Sequence, residues 1–97
     1  MSIADQVASL TAHVRRLEKD DVHLYIRFDQ AALDRIGLRH GARVQVDLNG
    51  RARVTGLVKT SGATPWLAPG GDDSNASITQ MLRGAGFRHG DDVPSRI

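Results

Sequence analysis

The chain has no cysteine among its 97 residues, which excludes a disulfide framework and thiolate metal sites. Aromatic side chains make up only 4% (one Trp, one Tyr, two Phe), too few for an extended platform that stacks a single strand of bases. No apolar run approaches the roughly 18 residues of a membrane span. The first residues lack the basic-then-apolar layout of a signal peptide, so the expected location is the cytoplasm. Gly-x-Ser-x-Gly, phosphate-loop and Gly-x-Gly-x-x-Gly patterns are missing. Asp20-Asp21, Asp72-Asp73 and Asp91-Asp92 fall where turns favour aspartate in any case. A protein that binds rather than catalyses is expected, with no catalytic residue and no cofactor.

Charge is present but unevenly placed. Residues 15–59 hold ten Lys/Arg against six Asp/Glu, whereas residues 60–97 hold three against four. Eleven of the thirteen cations are arginine, whose planar fork matches phosphates and carboxylates. The net charge of +2 permits a polyanionic partner without requiring one.

Hydrophobic periodicity divides the chain. Ile3, Val7, Leu10, Val14 and Leu17 follow a heptad spacing, and Ser2 with Asp5 resembles a capping box, so residues 1–20 are expected to form an amphipathic helix. That stripe would either dock on its own domain or form a homodimer seam. Residues 21–97 are expected to form a mainly β domain. Val22, Leu24, Ile26 and Phe28 alternate as a strand, and Asp29 caps a short helix from Gln30 to Ile36. Gly37 supplies the left-handed residue after it. Val44, Val46 and Leu48 form the next strand. A two-residue Asn49-Gly50 turn would mix core and solvent residues on one face. A three-residue loop, Asn49 to Arg51, pairs Val46 with Val54 instead, and the return strand runs over 51–59. Residues 64–68 read as an edge strand, 69–76 as a mobile polar loop, and Ser77 with Gln80 as the cap of a second helix.

Two stretches are nearly identical: GLRHGARV at 37–44 and GFRHGDDV at 86–93, set 49 residues apart. Each reads as a helix end, a left-handed glycine, an apolar residue folding back, and a glycine turn into a strand. Arg-His between the glycines exceeds what turn chemistry requires, so a duplicated strand–helix–strand unit is expected, one copy over 22–48 and the other over 64–97.

The stretch DQAALDRIGLRHGARVQVDL followed by a hairpin resembles the AbrB-type swapped-hairpin unit. Two such units in one chain resemble the double-psi β-barrel, as in the N-terminal barrel of valosin-containing-type ATPases. Both belong to the cradle-loop barrel group, and the resemblance covers residues 22–97. It implies an α+β, mainly β fold: a small pseudo-two-fold barrel preceded by the N-terminal helix. The first half supplies only two strands where the group has three, so one barrel edge is expected to stay open, favouring a homodimer.

Two binding surfaces stand out. The first is an arginine-rich sheet face, Tyr25, Arg27, Arg43, Arg51 and Arg53, suited to phosphates and groove edges; the AbrB resemblance also implies DNA as partner. The second is Trp66 with the 64–75 loop and its acidic Asp72 and Asp73, suited to a protein partner. His40 and His89 occupy equivalent places in the repeat, but two histidines without a third ligand make no metal site.

Overall fold

The computed structural model describes residues 9–17, 22–62, 64–70 and 74–97. Along them run β1 (Ser9–Arg16), β2 (Leu24–Arg27), α1 (Gln30–Ile36), β3 (Arg43–Leu48), β4 (Ala52–Lys59), β5 (Trp66–Pro69), α2 (Asn75–Gly84) and β6 (Asp92–Arg96). The strands close into one barrel in the order β1-β2-β5-β4-β3-β6, every neighbouring pair antiparallel.

The helix expected at the N-terminus is corrected here. Residues Ser9–Arg16 form a strand, with Leu10, Ala12 and Val14 facing inward. Leu10 and Val14 satisfy a helical spacing of four and a strand spacing of two equally well. Ala12, fully buried between them, fits only the strand. Leu17 lies past the strand end, its N–H bonded to the His23 carbonyl at 2.9 Å. Ile3 and Val7 lie outside the described residues. β1 pairs with β2 (His13 opposite Arg27) and with β6 (Thr11 opposite Pro94), so it fills the barrel edge expected to be open. Neither that edge nor a helical seam along 9–17 is left for a second copy.

The hairpin follows the hydrophobic register. Leu48 pairs with Ala52, Val46 with Val54 and Asp47 with Arg53, across a three-residue loop. Asn49 and Gly50 both take positive φ there. β5 is no edge strand, since it bonds β2 on one side and β4 on the other. Its Pro69 faces Gly56, whose lack of a side chain admits Leu67 and the Ala68 carbonyl against the β4 backbone.

α1 spans the expected residues. α2 begins earlier than expected: its N-cap is Ser74, and the Ser77 hydroxyl completes a reciprocal capping box. The polar connection is therefore shorter than 69–76, because Pro69 belongs to β5 and Asn75 to α2. Val22, expected in a strand, precedes β2 and is exposed.

Inward side chains of all six strands join Leu33 of α1 and Ile78 and Leu82 of α2 in one apolar core. Each fully buried Leu, Ile or Val contributes about 1.5–3 kcal/mol. The two Arg-His turns are tied to this frame by matching bonds. Leu38 N–H meets the Leu33 carbonyl at 3.0 Å, and Phe87 N–H the Leu82 carbonyl at 2.9 Å. Gly41 N–H bonds the Val58 carbonyl at 2.7 Å, and Gly90 N–H the Val14 carbonyl at 2.9 Å. The Nδ1 of His40 accepts the Thr60 N–H at 3.0 Å, and that of His89 accepts the Arg16 N–H at 2.9 Å. Each histidine ring therefore holds its own strand end, and among the described residues no group of three His, Asp or Glu is placed to hold a metal ion.

Candidate functional site

Barrel order rearranges the arginine face read from the sequence. β2 and β3 follow each other in the chain, but β5 and β4 lie between them, which puts β2 and β3 on opposite sides of a six-stranded barrel. Tyr25 and Arg27 are thus separated from Arg43 and Arg53. What connects them is a belt of outward side chains running over β2, β5, β4 and β3.

The belt is centred on Trp66. Arg27 stands opposite Trp66, and Trp66 opposite Lys59, so the three form one row across adjacent strands about 10 Å wide. Tyr25, on the outward side of β2, meets Trp66 edge to face, with ring centroids 6.1 Å apart and planes at 80°. Both rings are half-buried. Thr64 accepts a 2.6 Å hydrogen bond from an Arg27 Nη, which fixes the guanidinium beside the rings. Further along, Leu57 of β4 faces Arg43 of β3, Thr55 faces Gln45, and Arg53 faces Asp47. Asp47 is the only carboxylate on this belt among the described residues, and its Oδ1 accepts the Gly50 N–H at 2.8 Å.

Arg51 leaves the predicted set. Its guanidinium lies 4.7 Å from the centroid of Phe87 and donates to the Ala85 carbonyl at the end of α2. A cation there satisfies a helix C-terminus and pins the β3–β4 hairpin to α2, which removes it from the binding surface. Asp72 and Asp73 lie outside the described residues, so Trp66 is the member of the second predicted surface that the fold places.

On the other flank of β2 the groups are locked to one another. His13 Nδ1 lies 2.8 Å from Asp92 Oδ1, and its Nε2 lies 3.1 Å from Asp29 Oδ2. Arg15 donates to the same Asp92 oxygen at 2.8 Å and to the Val14 and Asp91 carbonyls. Burial pulls the His13 pKa down, but hydrogen bonds and charge from Asp92 and Asp29 together outweigh it and raise it. The hydrogen bonds from His13 and then Arg15 hold Asp92 below its ordinary value. Asp29 is the N-cap residue of α1, yet it makes no side-chain cap, because its carboxylate faces His13. Sequence periodicity does not reveal this cluster, because the heptad spacing predicts a helix where His13 and Arg15 stand on β1.

No helix among the described residues is long and apolar enough to cross a membrane. No family model matches the chain, and neither a curated protein nor a solved structure matches it significantly.

Proposed function

We propose that this chain is a non-enzymatic nucleic-acid-binding module that takes single-stranded substrate around its outer belt. The observation that carries the reading is the Arg27–Trp66–Lys59 row with Tyr25 packed on Trp66. Trp66 and Tyr25 are too few for an extended stacking platform, but as a single stacking point flanked by cations they suit one or two bases, with phosphate contacts on either side carrying the rest. Arg43 and Arg53 continue the positive track around the barrel. A rigid duplex would touch one side only, whereas a flexible strand can follow the curve; this favours single strands over the duplex DNA suggested by the AbrB resemblance.

For the fold, we infer duplicated halves of the cradle-loop type. Exchanging β1, β2 and β3 with β4, β5 and β6 leaves the strand order around the barrel unchanged, and the matching bonds at His40 and His89 support the same relation. With the barrel closed, the reading needs no homodimer.

A second reading uses the same centre. Trp, Tyr and Arg are the side chains that dominate protein interfaces, so Trp66, Tyr25 and Arg27 also suit a protein partner. Electrophoretic titration with single-stranded and duplex oligonucleotides at two salt concentrations tests the first reading. Binding of the single strand that weakens steeply with salt supports it. No complex with either form at low salt rejects it in favour of the protein partner.

A further inference from the structure

The row at the centre of the belt continues onto β1. His13 stands opposite Arg27, so the row reads His13–Arg27–Trp66–Lys59 across β1, β2, β5 and β4. Both ring nitrogens of His13 meet carboxylates, Nδ1 at 2.8 Å from Asp92 and Nε2 at 3.1 Å from Asp29. Resting on the belt reading above, we infer that His13 is a proton switch on strand binding. Charged, it holds Asp29 away from Arg27; neutral, it releases that carboxylate to compete with phosphate.

Hydrogen-bond capacity sets the sign. An ionised carboxylate only accepts, so bonds to two of them need an N–H on each ring nitrogen, which is the imidazolium. Neutral imidazole has a single N–H for both acceptors. Asp92 also takes a bond from Arg15 at 2.8 Å, so the longer contact, to Asp29, is the one that yields. Asp29 and Arg27 line the same small cleft beside His13, together with Arg15, Phe28 and Thr64. Of its two arginines, Arg15 is committed to Asp92 and to the Val14 and Asp91 carbonyls. Arg27, tied through one Nη to Thr64, is the cation toward which a released Asp29 turns. Asp91, at the turn before β6, is engaged by the Arg88 N–H at 3.0 Å. Burial pulls the His13 pKa down, yet bonds and charge from Asp92 and Asp29 raise it overall, as the bridge requires.

The opposite flank of the belt has no such switch. The Val14 and Val58 carbonyls accept the N–H groups of the two turn glycines, Gly90 and Gly41. The residues just before them are His13, paired with Asp92, and Leu57, paired with Arg43. One flank therefore ends in the fixed charge of Arg43 and the other in the titratable charge of His13.

The test is a fluorescence-anisotropy titration of the full chain with a labelled thymidine oligonucleotide, from about pH 5.5 to about pH 8.5 at constant ionic strength. Affinity is expected to fall about five-fold as His13 loses its proton beside Arg27. His13→Gln is expected to bind equally at every pH. Asp29→Asn, at an exposed position and still a good N-cap, is expected to lose less than about two-fold. Circular dichroism at each pH verifies the fold of both variants. By linkage, saturating oligonucleotide raises the titration midpoint of the His13 ring resonance, a response that a purely structural histidine does not give. A pH-independent affinity, or the same fall in His13→Gln, overturns the switch and leaves the belt standing. No binding at any pH overturns the belt itself, and the switch with it.

Discussion

Tyr25 and Trp66 touch edge to face on the outside of two adjacent strands, 6.1 Å between ring centroids. The contact orients Trp66 without covering it, since both residues remain partly accessible. Trp66→Ala is expected to weaken single-strand binding by about 1–3 kcal/mol, and Trp66→Phe by less, in a fluorescence-anisotropy titration with a labelled oligonucleotide. Arg27→Gln is expected to lower the salt dependence as well as the affinity. Arg51→Gln is expected to leave binding unchanged and to lower stability, because its guanidinium serves Phe87 and the end of α2.

His13 links β1 to β6 and to the entry of α1, and its ionisation gives the fold a pH dependence of defined sign. Its folded pKa is raised above 6.5, so its stabilisation is complete below that value and is lost as pH rises through the folded value. Asp92 is shifted the other way: its contribution is present above 3.8 and is lost as pH falls through its lower folded value. Arg15, Arg27, Asp29 and Asp91 are the other charged groups around it. Urea midpoints are therefore expected to be highest between 3.8 and 6.5 and to fall toward alkaline pH. In His13→Gln the alkaline fall should vanish; an unchanged profile would show that the bridge does not couple to folding.

Gly56 is a packing position. A β-carbon there would lie 2.9 Å from Leu67 Cγ and closer still to the Ala68 carbonyl oxygen. Gly56→Ala should destabilise by about 1–3 kcal/mol or more, through overpacking between β4 and β5. Gly84→Ala, on α2 with nothing within 4 Å of the new carbon, should be neutral or stabilising by up to about 1 kcal/mol. Paired urea denaturations measure both.

Ala12 separates the strand from the helix that the heptad spacing predicts. On a heptad helix it flanks the stripe and would accept a larger side chain; in β1 it is fully buried inside the barrel. Ala12→Leu is expected to cost about 1–3 kcal/mol, read from thermal or urea unfolding. Unchanged stability would contradict the placement of β1.

Much of the fold was legible because it depends on local rules. The hairpin register follows from the inward set Val44, Val46, Leu48 and Val54, since a one-residue slip would turn all of them outward. Asp29, Gly37 and the spacing between them marked α1. The start of α2 was missed because Ser77 fills the role usually sought in Glu or Gln. β1 is hidden in the sequence because Leu10 and Val14 fit both periods and alanine at position 12 carries little hydrophobic signal. The site was legible in its residue types but not in its arrangement. Strand order around a barrel is a long-range property, so nothing local to Arg27 or Arg43 reveals that β5 and β4 lie between them, or that Trp66 faces Arg27.

Trp66 is the sole tryptophan in the chain, so its emission reports directly on the centre of the belt. Titrating the protein with an unlabelled single-stranded oligonucleotide at low salt should quench that emission saturably as bases stack on the ring, and added salt should reverse the quenching. An oligonucleotide that binds while Trp66 emission stays constant would contradict the proposed face, and one that does not bind at all would contradict the proposed function.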